Sequence, residues 1–203
     1  MRNRKFLLAD PAKPEAPDNP STRERTVDAL IALIAAGEQL NHDRVAERAG
    51  LSRRTVYRYF PDQSSLRAAA WERLGPPGGM PSTLHDFVGL MPERFGKFES
   101  NAEAMTVTMA SPEGRAMRNV MTTKRVETFR ALFAEQTAHL AEPARTEAIA
   151  ALQYMGCGYA WLEMRDQWEL GPEGAAAACS WAIETLLAEL ARGGGPGKGP
   201  SAA

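Results

Sequence analysis

His42-Asp-Arg-Val-Ala-Glu-Arg-Ala-Gly50-Leu-Ser-Arg-Arg-Thr-Val-Tyr-Arg-Tyr-Phe-Pro61 is the stretch that decides how this chain folds. Val45, Ala46 and Ala49 share one face of a short helix over 42–49. Ala46 keeps that face small where a second helix must cross it closely. Gly50 falls where the turn between the two helices demands a positive φ, which glycine adopts without a Cβ penalty. Leu51 packs beneath the turn. Ser52 is placed to cap a second helix over 53–59, accepting from a backbone N–H near Thr55. Val56, Tyr59 and Phe60 are spaced to bury against the first helix and its neighbours. Small, turn, cap and core residues thus agree in register across twenty positions, which is the pattern of a helix-turn-helix.

The burial of that inner face leaves Arg53, Arg54, Thr55, Tyr57 and Arg58 on or near the outer one. Arginine can bond bidentately to guanine O6 and N7, and threonine can bond a base edge or touch the thymine methyl. Tyrosine and arginine also reach phosphates and set the docking register. Because the N-terminal end of such a helix usually meets the bases, Arg53, Arg54 and Thr55 are expected at base edges. Tyr57 and Arg58 are expected on the backbone. Arg44, Ser52 and Tyr59 complete the candidate DNA-binding set, and the partner implied is double-stranded DNA.

Outward from this segment the patterning stays helical. Residues 1–20 contain Pro11, Pro14, Pro17 and Pro20 with almost no apolar periodicity, and read as a disordered arm. Its Arg2, Arg4 and Lys5 could follow DNA into the minor groove, or the arm could have no role. A helix is expected from an N-cap at Ser21, with Val27, Leu30, Ile31 and Ile34 on one stripe, ending at Gly37. A further helix spans about 63–74. Gly75-Pro76-Pro77-Gly78-Gly79 cannot continue it and marks a boundary. Beyond lie helices expected near 83–98, with a kink at Pro92, and over 101–110, 113–140, 144–169 and 173–191. No strand alternation and no internal repeat occur. The resulting fold class is all-α: an N-terminal three-helix helix-turn-helix domain over 21–75, a larger helical domain over 80–192, and a Gly- and Pro-rich disordered tail over 193–203.

Composition narrows the function classes. The chain has 203 residues, 44% hydrophobic and 24% charged, which suits a packed soluble core. No apolar run approaches the roughly 18–20 residues of a membrane span, so no membrane association is expected. Cys157 and Cys179 have no close partner spacing, which argues against a disulfide framework and fits a reducing cytoplasm. The net charge of −1 is unevenly spread. Residues 42–61 carry Arg44, Arg48, Arg53, Arg54 and Arg58 against Asp43 and Glu47, whereas residues 75–203 carry 11 basic and 15 acidic side chains. A local basic patch, not the whole-chain charge, is what a DNA reader requires.

The run Val45-Ala46-Glu47-Arg48-Ala49-Gly50-Leu51-Ser52, followed by Thr55-Val56-Tyr57-Arg58-Tyr59-Phe60-Pro61-Asp62 and Leu66, resembles the TetR family of transcriptional regulators. The preceding amphipathic helix ending at Gly37 fits as well, although Asn41 stands as N-cap where Thr or Ser is common. The similarity covers roughly residues 22–74. It implies a cytoplasmic repressor that binds a palindromic operator as a homodimer. It also implies that the C-terminal half dimerises and holds a small-molecule pocket.

The C-terminal half is compatible with both roles. Leu152, Met155, Tyr159 and Leu162 recur at helical spacing, with Tyr154, Trp161, Met164 and Trp168 around them, too wide an apolar surface for a solvent-facing helix. Trp181, Ile183, Leu186, Leu187 and Leu190 make the last helix similarly wide, as a dimer interface would be. Met91, Phe95, Met109, Met121, Tyr154, Met155 and Trp161 are the candidate ligand-binding residues, since thioethers and aromatic rings fit irregular apolar ligands. For each of these residues, a place in the core is the commoner alternative. A small apolar or aromatic effector is the expectation.

Two other functions compete. A dimeric DNA-binding protein without an effector, constitutive or architectural, would keep the reader and use the second domain only for assembly. An enzyme is not expected: His42, His85 and His139 sit in separate elements without metal-ligand spacing, so neither catalytic nor metal residues are assigned. No glycine-rich phosphate loop or nucleophile elbow occurs, and no cofactor is expected. Cys157, between Gly156 and Gly158, is the one candidate thiol, and apolar surroundings favour an inert one.

Overall fold

The computed structural model describes residues 20–76 and 78–197 and is all-helical. Twelve helices occur among the described residues, with no strand. The proposed minor-groove residues of the arm, Arg2, Arg4 and Lys5, lie outside the described residues, as do Pro77 and residues 198–203.

Helix α1 (Pro20–Ala35) starts two residues earlier than a cap at Ser21 would have it, so Ser21 lies within its first turn. Val27, Leu30, Leu33 and Ile34 are buried. Gly37 follows at φ 69° and ends the element. Helices α2 (His42–Ala49), α3 (Arg53–Tyr59) and α4 (Gln63–Leu74) come next. Asn41 caps α2 by accepting from the Arg44 N–H, and Asp62 caps α4 through a reciprocal box with Ser65. Each cap satisfies a donor that the first helical turn leaves unpaired.

The second half comprises α5 (Leu84–Gly89), α6 (Met91–Glu99), α7 (Ala102–Ala110), α8 (Pro112–Asn119), α9 (Thr122–Leu132), α10 (Ala144–Met155), α11 (Gly158–Trp168) and α12 (Pro172–Ala191). Three helices expected to be continuous are divided. The 83–98 helix breaks at Leu90, and Pro92 starts α6 instead of kinking it, at a position where its missing N–H costs nothing. The 113–140 helix breaks around Val120–Met121 and stops at Leu132. Arg125 donates to the Arg118 carbonyl at 2.9 Å, supplying a side-chain partner at that break. Arg145 does the same for the irregular stretch after α9, donating to the carbonyls of Thr137, Ala138 and Leu140.

The third break divides 144–169 at Gly156-Cys157-Gly158. A Cβ on Gly156 would stand 2.6 Å from the Phe87 ring, and one on Gly158 would stand 3.1 Å from the Met105 methyl. Both glycines let the backbone approach neighbouring side chains that any larger residue would displace.

The two halves share one apolar core, and α1 and α4 pack against α7 and α8. Helix α12 packs on α6, α10 and α11. Residues 193–197, expected in the tail, fold back: Gly194 is buried, and its carbonyl pairs with His139 Nε2 at 2.9 Å. No helix among the described residues is long and apolar enough to cross a membrane.

Candidate nucleic-acid interface and central cavity

The reader is built on α2 and α3. Gly50 lies between them at φ 63° in the left-handed region, where its N–H closes α2 on Glu47. Ser52 Oγ accepts from the Thr55 N–H at 3.1 Å and opens α3. Val45, Ala46 and Ala49 are buried, and Val45 and Ala46 share the core with Val56 and Phe60. Arg25 of α1 donates to the Ala49 carbonyl at 2.8 Å and pins the turn from behind.

Of the residues expected at DNA, Arg44, Ser52, Arg53, Arg54, Tyr57 and Arg58 are exposed, while Thr55 and Tyr59 are half-buried. Their present partners differ. Arg53 pairs with Asp43 at 2.5 Å, Arg44 lies 3.5 Å from Glu38, and Arg58 stacks on Tyr59 and donates to its hydroxyl at 3.1 Å. The Thr55 hydroxyl is 2.8 Å from Ser52 Oγ. Arg54 has no hydrogen-bond or ion-pair partner among the described residues.

His42 is an addition that sequence spacing did not suggest. Its imidazole stacks parallel on Tyr57 at 4.0 Å, and Nε2 donates to the Phe60 carbonyl at 2.7 Å. The buried ring thereby holds Tyr57 upright on the exposed side of α3. Residues 42 and 57 meet only because α2 and α3 cross, so no local periodicity links them.

A cavity of about 1080 Å³ lies between the far end of α4 and the second half. Its walls come from the end of α4, from Gly75, Pro76 and residues 78–82, and from α5 to α11. Ligand pockets typically span about 300–1,000 Å³, so the space suits a small molecule. Met109, Met121 and Tyr154 of the expected set line it. Met91, Phe95, Met155 and Trp161 do not. Met91 and Phe95 are fully buried in the packing of α6. Trp161 is fully buried as well, donating to Glu99 at 3.1 Å with its ring edge-on to Phe98. Met155 packs half-buried against the core.

The cavity's cations were not anticipated. Arg94, Lys97, Arg118, Lys124 and Arg125 line it, with Glu72 the one acid in the lining among the described residues. Arg94 and Arg118 are only 5% and 9% exposed. Burial holds the Arg94 guanidinium below its ordinary pKa range. Burial first, and then the neighbouring Arg118, do the same to Arg125. The signal was present in the sequence, because Arg94 sits on the stripe Met91, Arg94, Phe95, Phe98 that otherwise forms the apolar face of α6. Cys157 also lines the cavity, and burial pushes its thiol pKa up. Cys179 is fully buried, and its thiol is pushed up to about 11. Neither has the low pKa of a reactive thiolate.

Residues 38–70 match the family described as bacterial regulatory proteins, tetR family. By sequence, no curated protein matches the chain. Among solved structures the fold is similar to that of native NalD, the secondary repressor of the MexAB-OprM multidrug efflux pump in Pseudomonas aeruginosa. The TM-score is 0.56 at 20% identity, covering 88% of this chain and 98% of that one.

Proposed function

We propose, for a chain whose helix-turn-helix is that of the tetR family of bacterial regulatory proteins, that it is a homodimeric repressor released from a palindromic operator by a small molecule held in the cavity. NalD, whose fold it shares, is described as a repressor. The observation that carries the reading is the place of α4. Its first residue follows the reader directly, while Trp71, Glu72 and Leu74 at its far end line the cavity. One element thus runs from the end of the reader to the cavity, and it is tied to α1 by Arg73–Asp28 at 2.6 Å and to α8 by Arg67–Glu113 at 2.8 Å. An effector that fits the cavity better when α4 is displaced would shift the dimer toward a reader spacing that no longer matches DNA. A coupling of about 1–3 kcal/mol changes operator affinity roughly 5- to 150-fold. The cavity favours this reading over a dimer without an effector.

The dimer surface in this reading is the outer side of α11 and α12. Trp168 and Trp181 are 72% and 71% exposed, and Leu186 of α12 is exposed as well. Two large indoles left in water on adjacent helices mark an interaction surface. In a two-fold interface each residue acts twice. At about 2 kcal/mol per buried tryptophan anchor, Trp181→Glu costs about 4 kcal/mol per dimer, or roughly a thousandfold in dissociation constant. Sedimentation equilibrium is expected to give twice the 22.1 kDa chain mass for the wild type and the single mass for Trp181→Glu. A wild type at the single mass under operator-binding conditions contradicts the homodimer.

A further inference from the structure

We infer that the cavity's ligand is an amphipathic anion, an apolar body with one negatively charged head; this rests on the reading of the cavity as the effector site. The apolar lining alone favours a lipophilic or aromatic molecule. Phe87, Phe98, Met105, Met109, Met121 and Phe129 offer a body of that kind a flexible, polarisable surface. The charges in the same walls change the answer.

Buried cations are normally paired with a carboxylate, because desolvating an isolated charge is costly. The ten ion pairs among the described residues include none of the five cavity cations. Arg94 donates to the Phe87 carbonyl at 3.1 Å and to Met91 Sδ at 3.4 Å. Arg118 donates to the Thr108 carbonyl and, at 2.6 Å, to the Tyr159 hydroxyl. Arg125 donates to the Arg118 carbonyl and lies 5.6 Å over the Trp71 ring. These partners are all neutral groups. They orient the guanidiniums without neutralising them. Lys97 has Glu72 and Glu93 nearby, and Lys124 stands exposed at the rim. On the Arg118–Arg125–Lys124 side no acid lines the cavity among the described residues. That wall lacks a counter-ion, and a ligand headgroup supplies one.

The same geometry links charge to release. Trp71 belongs to α4, the element shared with the reader. An anion drawing Arg125 to itself competes with the Trp71 ring for that guanidinium, loosening one of the interactions that hold α4.

Three probes sharing a twelve-carbon chain test the charge requirement: dodecanoate, dodecan-1-ol and dodecyltrimethylammonium, titrated calorimetrically into the full-length dimer below their micelle concentrations. The expected result is that dodecanoate binds at least about tenfold tighter than the alcohol and that the cation does not bind. Arg125→Gln with Lys124→Gln, the latter at the exposed rim where folding is not at stake, is expected to erase the dodecanoate advantage and leave alcohol binding unchanged. The inference is overturned if the alcohol or the cation binds as tightly as dodecanoate, if none of the three binds, or if the double variant keeps the full preference. Operator affinity measured on the same samples separates the two readings. Dodecanoate binding without operator release leaves the charge preference standing and overturns release. Release by the alcohol or the cation at concentrations as low as those at which dodecanoate acts does the reverse.

Discussion

Arg54→Ala is expected to lower operator affinity by about 2–6 kcal/mol, roughly 30-fold and upward, without lowering the melting temperature. A bidentate arginine–guanine pair is worth about 1–3 kcal/mol, and a symmetric dimer makes it at both half-sites. Arg54 sits in the first turn of α3, exposed and without a partner among the described residues, so truncation costs the folded protein nothing. Arg53 is different. Its guanidinium is held by Asp43 at 2.5 Å, and that exposed pair must open before Arg53 can serve DNA, so Arg53→Ala is the milder change. Binding titrations at several salt concentrations separate the two roles. If Arg54 bonds a base edge, its truncation leaves the salt slope nearly unchanged. If it neutralises a phosphate, the slope falls by about one per half-site. A change in affinity below about threefold removes Arg54 from the base-reading set.

The largest expected effect on stability is at Gly114. A Cβ there would stand 2.0 Å from the Thr108 carbonyl oxygen and 2.5 Å from its Cα, both backbone atoms of α7 that cannot rotate away. Ser111, which opens α8, accepts from the Gly114 N–H at 3.1 Å and fixes the approach. Gly114→Ala must therefore pry α8 from α7, at about 3 kcal/mol, near the upper end for overpacking. For a chain of this size that is a fall of about 6–12 °C in Tm. It also moves Arg118, which donates to the same Thr108 carbonyl from one turn further along α8. Gly96→Ala is the control. It is also a helical glycine, but nothing lies within 4 Å of its added Cβ, and it is expected to stabilise by about 0.5–1 kcal/mol. Calorimetric Tm values that fall equally for both, or for neither, contradict this account of how α7 and α8 pack.

The reader was legible in the sequence because its determinants are local. Asn41 and Ser52 cap helices whose first turns begin at the next residue, and Gly50 must be left-handed wherever the pair sits in the fold. The second half was legible as helix but not in the detail of its eight helices. The break at Cys157 answers to what lies across the fold, the Phe87 ring against Gly156 and the Met105 methyl against Gly158. Periodicity carries no record of such long-range neighbours.

The cavity was half legible. Methionines and aromatic residues at helical spacing mark core more often than pocket lining, and Met91, Phe95 and Trp161 are fully buried. The more informative residues were the misfits. Arg94 on an otherwise apolar stripe, and Arg118 beside Met117 on the buried side of α8, broke the pattern because they line the cavity and bond to neutral groups in its walls. A cation at a core position is costly unless the site makes use of it.

The most direct test of a dimeric, sequence-specific reader is selection of bound duplexes from random DNA by the full-length protein. The expected product is a palindrome with half-sites about one helical turn apart, bound by one dimer with a steep salt slope. No enriched sequence from a folded, dimeric sample, or a lone half-site without symmetry, contradicts it.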